Sequence, residues 1–295
     1  MAKRLTSILL ILCIASLPAP EARGAIIQKI DFEDGLSVQQ SDKVDSHGNS
    51  ADIVRAERGV TPRSGEWMQR TYLNRNTSAV TYRTESKVLL DAKRFEFKKG
   101  EEYWVGLSVF IPADWNMNYG NNYSNGIVWQ FHDYHWLDST WRSTLPLTAM
   151  HSSSGWIIRN HSWLRGNDAG NYTGFSKTVP YRLGAWNDFV MNVKFSGNIS
   201  PNDENGFLKV WVNGEKVLDR VGQNYFGEQT MGPYMHFGLY NWGWRLEHKD
   251  NWVGPFERML WHDEVRIGDA SSSYAEVVPG GGTVAPRPPS LLSVN

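Results

Sequence analysis

Three short segments of the chain place polar or titratable side chains at every second residue: Arg83–Lys87, Gln130–His132 and Tyr234–Tyr240. In a β-strand, residues two apart point to the same side. The alternation therefore predicts three strands, each with a polar face opposite its apolar residues. The predicted polar faces carry Arg83, Glu85 and Lys87, then Gln130 and His132, then Tyr234, His236, Gly238 and Tyr240.

This set of side chains suits β-elimination on a uronic acid. The proton at C5 lies α to a carboxylate, and Arg or Gln side chains can hold that carboxylate while enediolate charge develops. A neutral His or a Tyr phenolate can then remove the proton, and a Tyr hydroxyl can protonate the departing 4-oxygen. Because hydrogen bonds and cations supply the stabilisation, we expect no metal or organic cofactor.

In the same order along the chain, the three segments resemble the short motifs of jelly-roll polysaccharide lyases, a superfamily with alginate lyases, heparin lyase I and glucuronan lyases. The opening Ile30–Gly35 and the closing Trp261–Gly268 resemble the first and last strands of such domains. The resemblance implies an all-β fold: a two-sheet antiparallel β-sandwich of the jelly-roll, concanavalin-like type, with the motifs on its concave sheet. It also implies a lyase that cleaves a glucuronan- or alginate-like polymer.

Carried over position by position, the resemblance implies catalytic roles for four residues. Arg83 and Gln130 would neutralise the carboxylate, His132 would be the base, and Tyr240 would be the acid, or both acid and base. The sequence departs from the usual pattern at His236, where the family commonly has Lys, and at Lys87, where Arg is common. The expected substrate-binding residues are Glu85, Lys87, Tyr234, His236, Asn241, Trp242 and Arg159.

Several of these neighbouring side chains have a structural alternative. His151, Arg159 and His161 lie on an aromatic-rich strand pair and could line a groove or face solvent. Trp242 and Trp244 could stack on a sugar ring or join the core, since an aromatic ring serves either purpose. Gly238 would leave a gap where a ligand could approach the backbone.

The chain ends differ in composition from its middle. The basic residues Lys3 and Arg4 precede an apolar run at Ile8–Leu17, which predicts a signal peptide over residues 1–24 and a secreted protein. Ten apolar residues are too few to cross a bilayer. Residues 279–295 are rich in Pro and Gly and predict an unpacked tail. Residues 25–278 then form one domain, in which Asn213-Gly214 gives the strongest hairpin signal.

The composition excludes other classes of protein. The chain has 295 residues, 21% charged residues and a net charge of −1, which excludes a membrane protein and a basic nucleic-acid-binding domain. Its one cysteine, Cys13, lies in the predicted signal peptide. The mature net charge of about −3 disfavours a highly sulfated polymer. We expect a monomer whose partner is an acidic polysaccharide.

Two other classes of protein and two metal sites are alternatives to a metal-independent lyase. A lectin-like carbohydrate-binding module on the same sandwich stays open, because the sequence does not show that Gln130, His132 and Tyr240 converge. A jelly-roll glycoside hydrolase would need paired carboxylates on one strand face, which we do not find. Zinc at His132–His135 is disfavoured by the strand geometry. A structural Ca²⁺ at Asp203–Asn205, or at Asp31 with Asp263, is compatible with the ligand types, but solvated acidic turns are favoured.

Overall fold

The computed structural model describes residues 25–34, 49–75, 82–91, 93–116, 125–133, 135–137, 140–142, 145–163, 172–196, 206–225, 232–244 and 257–281. Within these ranges the chain forms two large antiparallel sheets, whose strands are numbered here in chain order. One buried apolar cluster draws residues from both sheets, so the sheets pack face to face. The predicted all-β antiparallel sandwich is confirmed.

The larger sheet, called the back sheet, has eight strands among the described residues. Its central strands are long, and the closing strand β18 pairs with three others. In spatial order the strands are β16 (Glu215–Val221), β15 (Phe207–Val212), β14 (Ala185–Lys194), β7 (Glu102–Ile111), β18 (Glu257–Gly268), β3 (Met68–Asn74) and β2 (Ser50–Val54), with β1 (Ile26–Ile30) on β18.

The smaller sheet, called the front sheet, has six strands in the described part of the chain. The three predicted polar strands are neighbours in it, with the third between the other two. In spatial order the strands are β13 (Tyr172–Val179), β12 (Gly155–Trp163), β11 (Leu147–Ser152), β8 (Gly126–His132), β17 (Tyr234–Tyr240) and β4 (Arg83–Lys87). Two small ribbons complete the strands: β5 (Leu89–Leu90) with β6 (Lys93–Arg94), and β9 (His135–Leu137) with β10 (Thr140–Arg142).

The core lies between the inner faces of the two sheets. On the front sheet, Trp129 and Phe131 of β8 and Phe237 of β17 are fully buried. The Trp129 ring meets Phe189 of β14 with 5.6 Å between ring centroids, and Phe131 meets Phe195 at 5.2 Å. Because these apolar residues alternate with the polar ones, core packing fixes which side chains point to the outer face.

The hairpin turn at Asn213-Gly214 and the low helix content agree with the predictions made from the sequence. Asn213 and Gly214 both have positive φ, 54° and 86°, as a two-residue turn between antiparallel strands requires. The only α-helix among the described residues is the single turn Tyr274–Val277, and Trp242–Trp244 forms one turn of 3₁₀ helix. None of the helices in that part of the chain is long and apolar enough to cross a membrane.

The first residues of the predicted C-terminal tail contact the rest of the chain. Pro279 is buried, its carbonyl accepts a hydrogen bond from Arg63, and the Gly280 N–H donates to Glu264. Pro279 and Gly280 therefore contact the domain, and the predicted domain boundaries stay a prediction. The predicted signal peptide, residues 1–24, and residues 282–295 lie outside the described residues.

Candidate active site

Register across the front sheet places the predicted polar side chains together on its outer face. His236 of β17 lies opposite both Gln130 of β8 and Lys87 of β4. Gly238 lies opposite Glu85, and Tyr240 lies opposite Arg83. The sequence pattern therefore predicted correctly which residues share a face on each of the three strands.

Glu85 is the centre of a buried polar cluster. Gln130 Nε2 donates to Glu85 Oε1 at 2.5 Å, while Arg83 Nη1 and His236 Nδ1 lie 3.6 and 3.7 Å from Glu85 Oε2. The side chains of Glu85, Gln130 and His236 are at most 3% exposed. Burial raises the pKa of Glu85, but His236, Arg83 and Gln130 together outweigh it and hold the pKa below its ordinary value. Glu85 is thus a carboxylate that orients its neighbours Gln130, Arg83 and His236.

Gln130 and Glu85 meet across an intervening strand at the position of Gly238. Gly238 has φ +148°, and a Cβ there would lie 2.2 Å from the carbonyl oxygen of Thr84 and 2.7 Å from Cα of Glu85. The gap predicted at Gly238 is therefore occupied by the backbone of β4, which approaches too closely for any larger residue. This correction gives the glycine a structural role in bringing Glu85 within reach of Gln130.

Tyr240 lies at one end of the cluster with its ring among other planar groups. The Arg83 guanidinium carbon is 5.8 Å from the Tyr240 ring centroid, and the Tyr82 ring is 5.4 Å away. Trp242 is half-buried, with its ring centroid 6.4 Å from that of Tyr240. Arg83 links Tyr240 to Glu85, so the acid candidate and both carboxylate-binding candidates belong to one continuous set of contacts.

His132 lies at the other end, beside Tyr234. Tyr234 Oη and His132 Nδ1 form a hydrogen bond of 2.9 Å, and the Arg94 guanidinium carbon lies 4.1 Å from the Tyr234 ring centroid. His132 connects to the cluster through His236, with 6.1 Å between the ring centroids. The register places His132 opposite Tyr234, whereas Tyr240 lies opposite Ile127. Five residues of strand, about 17 Å, thus separate the backbone positions of His132 and Tyr240.

Four of the expected substrate-binding residues are buried in the structure: Glu85, Tyr234, His236 and Asn241. Asn241 is fully buried and turned inward, where its Oδ1 lies 3.0 Å from His151 Nε2. Tyr234 is 1% exposed, beneath the Arg94 guanidinium. Strand β17 ends at Tyr240, so the alternation that predicted the outer-face residues no longer applies to Asn241.

The structural alternatives for the neighbouring aromatic and His residues are partly decided. Trp244 is 2% exposed and belongs to the core, whereas Trp242 stays beside Tyr240. His151 is fully buried against the Trp115 ring. Arg159 is half-buried on the outer face of β12, and the side chain of His161 lies outside the described residues.

Sequence reasoning missed Thr148 and Arg94. Thr148 of β11 lies opposite Gln130 and is 1% exposed. The alternation of residues along Leu147–Ser152 could have identified Thr148 as an outer-face residue. Arg94 belongs to a two-residue strand, which is too short to show any period.

In the described part of the chain, no three His, Cys, Asp or Glu side chains converge on a site that could hold a metal ion. The carboxylate of Asp31 pairs with Lys29 at 2.6 Å, whereas that of Asp263 accepts hydrogen bonds from the Arg63 and Glu264 backbone N–H groups. Asp203–Asn205 lies outside the described residues. Independence from metals stays a prediction.

Three buried histidines predict that acid destabilises the protein. Burial, with a smaller effect from His236, lowers the pKa of His132 to about 4, burial lowers that of His262 to about 4, and burial lowers that of His151 well below its ordinary value. Below pH 6.5 the unfolded chain takes up these protons and the folded chain does not. Burial raises the pKa of Asp263 to about 7, so the folded state holds one extra proton in the same range.

Three histidines less one aspartate leave a net uptake of about two protons on unfolding between pH 6.5 and 4. We therefore expect the melting temperature to fall steadily as the pH is lowered through this range. Thermal unfolding followed by circular dichroism at several pH values tests this expectation. A melting temperature that is flat or rises toward pH 4 would contradict it.

Comparisons with known proteins agree with this fold. An endo-β-1,4-glucuronan lyase from the fungus Trichoderma reesei superimposes with a TM-score of 0.64 at 20% identity, over 86% of this chain and 99% of that chain. An alginate lyase, vAL-1, from a Chlorella virus superimposes with a TM-score of 0.51 at 14% identity, over 83% of this chain and 100% of that chain. No curated protein sequence matches the chain.

The fold is therefore that of the jelly-roll lyases, as the sequence resemblance implied. The model of the family described as polysaccharide lyase matches residues 29–266, and the chain belongs to that family. It is a polysaccharide lyase whose substrate is a polysaccharide.

Proposed function

We propose that this lyase cleaves a non-sulfated, β-1,4-linked polyuronate by β-elimination. The observation that carries the proposal is the cluster in which Gln130, Arg83 and Tyr240 are joined through the buried Glu85 carboxylate. Gln130 and Arg83 are donors suited to hold a uronate carboxylate, and the Tyr240 ring, beside the Arg83 guanidinium, carries a hydroxyl that can act as a proton donor. The solved glucuronan and alginate lyases with this fold are named for such polymers.

Glu85 fixes the orientation of the Gln130 amide that would hold the substrate carboxylate. The carboxylate of Glu85 accepts from Nε2, so the amide cannot turn its carbonyl oxygen toward Glu85. The second hydrogen of Nε2 remains for a substrate carboxylate, because an amide nitrogen has two. A donor fixed before the charge develops stabilises an enediolate better than one that must reorient.

The distance between His132 and Tyr240 favours an elimination in which the C5 proton and the 4-oxygen leave from the same face of the sugar ring. In glucuronate and mannuronate, the C5 proton and the 4-oxygen lie on the same face of the ring, so one side chain can remove the proton and protonate the leaving oxygen. In guluronate they lie on opposite faces, which requires two groups that flank the same sugar. We infer that Tyr240 performs both roles and that His132, hydrogen-bonded to Tyr234, binds or orients substrate farther along the site.

A panel of uronate polymers tests the proposal. We expect unsaturated, reducing products that absorb in the ultraviolet from polyglucuronate or polymannuronate, much less from polyguluronate, and undiminished activity in a metal chelator. Saturated products would contradict elimination. Tight binding without any product would favour the lectin-like alternative, and cleavage of polyguluronate at an equal rate would contradict the role given to Tyr240.

We also propose that the protein is exported with residues 1–24 as its signal peptide. The argument is the sequence pattern, in which Lys3 and Arg4 precede the apolar run Ile8–Leu17. N-terminal sequencing of protein recovered outside the producing cell should begin at Ala25, and a mature protein that still begins at Met1 would contradict the assignment.

A further inference from the structure

One line of paired residues runs from the cluster across four strands of the front sheet to β13. From Gln130 on β8, the pairing continues to Thr148 on β11, then to Arg159 on β12 and Ser176 on β13. Directly opposite residues on neighbouring strands have side chains close enough to contact a common ligand. The surface next to Gln130 thus continues for three more strands.

Thr148 is the buried member of this line. Its side chain is 1% exposed, and its hydroxyl has no hydrogen-bond partner in the described structure. The Gln130 carbonyl oxygen and both ring nitrogens of His236 are likewise buried without a hydrogen-bond partner among the described residues. Buried polar atoms in native proteins nearly always have partners, so a group of such atoms at one place indicates that a polar ligand supplies them.

Arg159 gives this side of the sheet its charge. The other described outer-face side chains of β11, β12 and β13 are neutral, so Arg159 is the one charged group among them. Arg159 is half-buried, and its guanidinium has the planar geometry that binds a carboxylate through two parallel hydrogen bonds. An anionic group is therefore the ligand that this position favours.

The spacing relates Arg159 to Gln130 through the polymer. Neighbouring strands lie about 4.8 Å apart, so Arg159 lies about 10 Å from Gln130 across the sheet, roughly the span of two pyranose rings. We propose that Thr148 and Arg159 form a second subsite, in which Arg159 binds the carboxylate of the uronate two sugars along the chain from the reacting one and Thr148 binds a hydroxyl of the polymer beside it. The polymer then crosses the strands, from Lys87 and Arg83 toward Arg159. This inference rests on the proposed function, because it takes the reacting sugar to lie at Gln130.

Replacing Arg159 tests the charge. On a polyuronate that the parent enzyme cleaves, Arg159→Gln should raise KM by about ten- to a hundredfold and change kcat by less than about twofold, since the contact is made equally in the ground and transition states. Arg159→Lys should recover part of the loss, because it retains the charge but not the bidentate geometry. Arg55→Gln, the same change at an exposed arginine that follows β2 of the back sheet, is the matched control and should keep the parent KM.

Replacing Thr148 tests the buried hydroxyl. Thr148→Val keeps the shape and removes a polar atom that the folded protein does not satisfy, so the melting temperature should stay the same or rise by a few degrees. KM should nevertheless rise several-fold. A residue with a purely structural role would show the opposite signs: a lower melting temperature and an unchanged KM.

The outcomes separate this inference from the proposed function. A parent enzyme without activity on any uronate polymer would remove the proposed function and the subsite with it. An active parent, with the Arg159→Gln and Thr148→Val variants at the parent KM, would overturn the subsite alone. Higher KM values with equal losses in Arg159→Lys and Arg159→Gln would contradict recognition by charge, and the subsite would then fail as a carboxylate site.

Discussion

Tyr240→Phe should lower turnover on a cleaved polyuronate by roughly 10²–10⁴-fold, which is the range for loss of a positioned general acid or base. The change removes only a hydroxyl, and the phenyl ring keeps its contacts with Tyr82 and the Arg83 guanidinium. Tyr240 is half-buried, so we expect a stability change of less than about 1 kcal/mol. Initial rates from the ultraviolet absorbance of the product, together with a thermal unfolding curve, measure both effects.

Tyr181→Phe is the matched control for Tyr240. The Tyr181 hydroxyl donates to the Ser152 carbonyl at 2.6 Å, so its loss should lower the melting temperature while the turnover of folded enzyme stays at the parent value. If Tyr240→Phe cleaves the polymer at nearly the parent rate, Tyr240 is neither acid nor base, although the chain remains a polysaccharide lyase.

The strand pattern predicted the outer face of the site because a single physical rule governs it. Trp129, Phe131 and Phe237 must be buried, and the two-residue period then sends Gln130, His132 and His236 to the other side. The order of the three motifs along the chain, compared with that of the jelly-roll lyases, indicated the family. Neither prediction required knowledge of which strands pair with each other.

The pairing of strands that are distant in the sequence could not be predicted from the sequence. That β17 lies between β8 and β4 is a property of topology, and it brings Gln130 to Glu85 across Gly238. The same register separates His132 from Tyr240, which motif order alone could not show. Asn241 was assigned to the site by its place in a motif, but the end of β17 turns it toward His151. The two-residue period of a strand determines which face of the sheet each side chain occupies. Contacts between strands depend instead on which strands become neighbours in the sheet.

Gln130→Ala should lower turnover by roughly 10²–10³-fold, comparable to the loss of one donor from an oxyanion site. The variant removes the amide that would hold the substrate carboxylate, and it also leaves Glu85 Oε1 without the donor that lies 2.5 Å away. A buried carboxylate oxygen that loses its partner costs about 1–3 kcal/mol, so the melting temperature should fall as well. The activity must therefore be expressed per folded molecule, with the folded fraction taken from the unfolding curve.

Asn192→Ala on the back sheet separates the two effects of Gln130→Ala. Asn192 is also a buried amide that donates to a glutamate, with 2.7 Å from its Nδ2 to Oε1 of Glu102. Because it lies outside the cluster around Glu85, its loss should destabilise the fold and leave the turnover of folded enzyme unchanged. If both variants lose activity only in proportion to their folded fraction, Gln130 stabilises Glu85 and takes no part in holding the substrate carboxylate. If Gln130→Ala alone loses turnover beyond its folded fraction, the amide acts on the substrate itself.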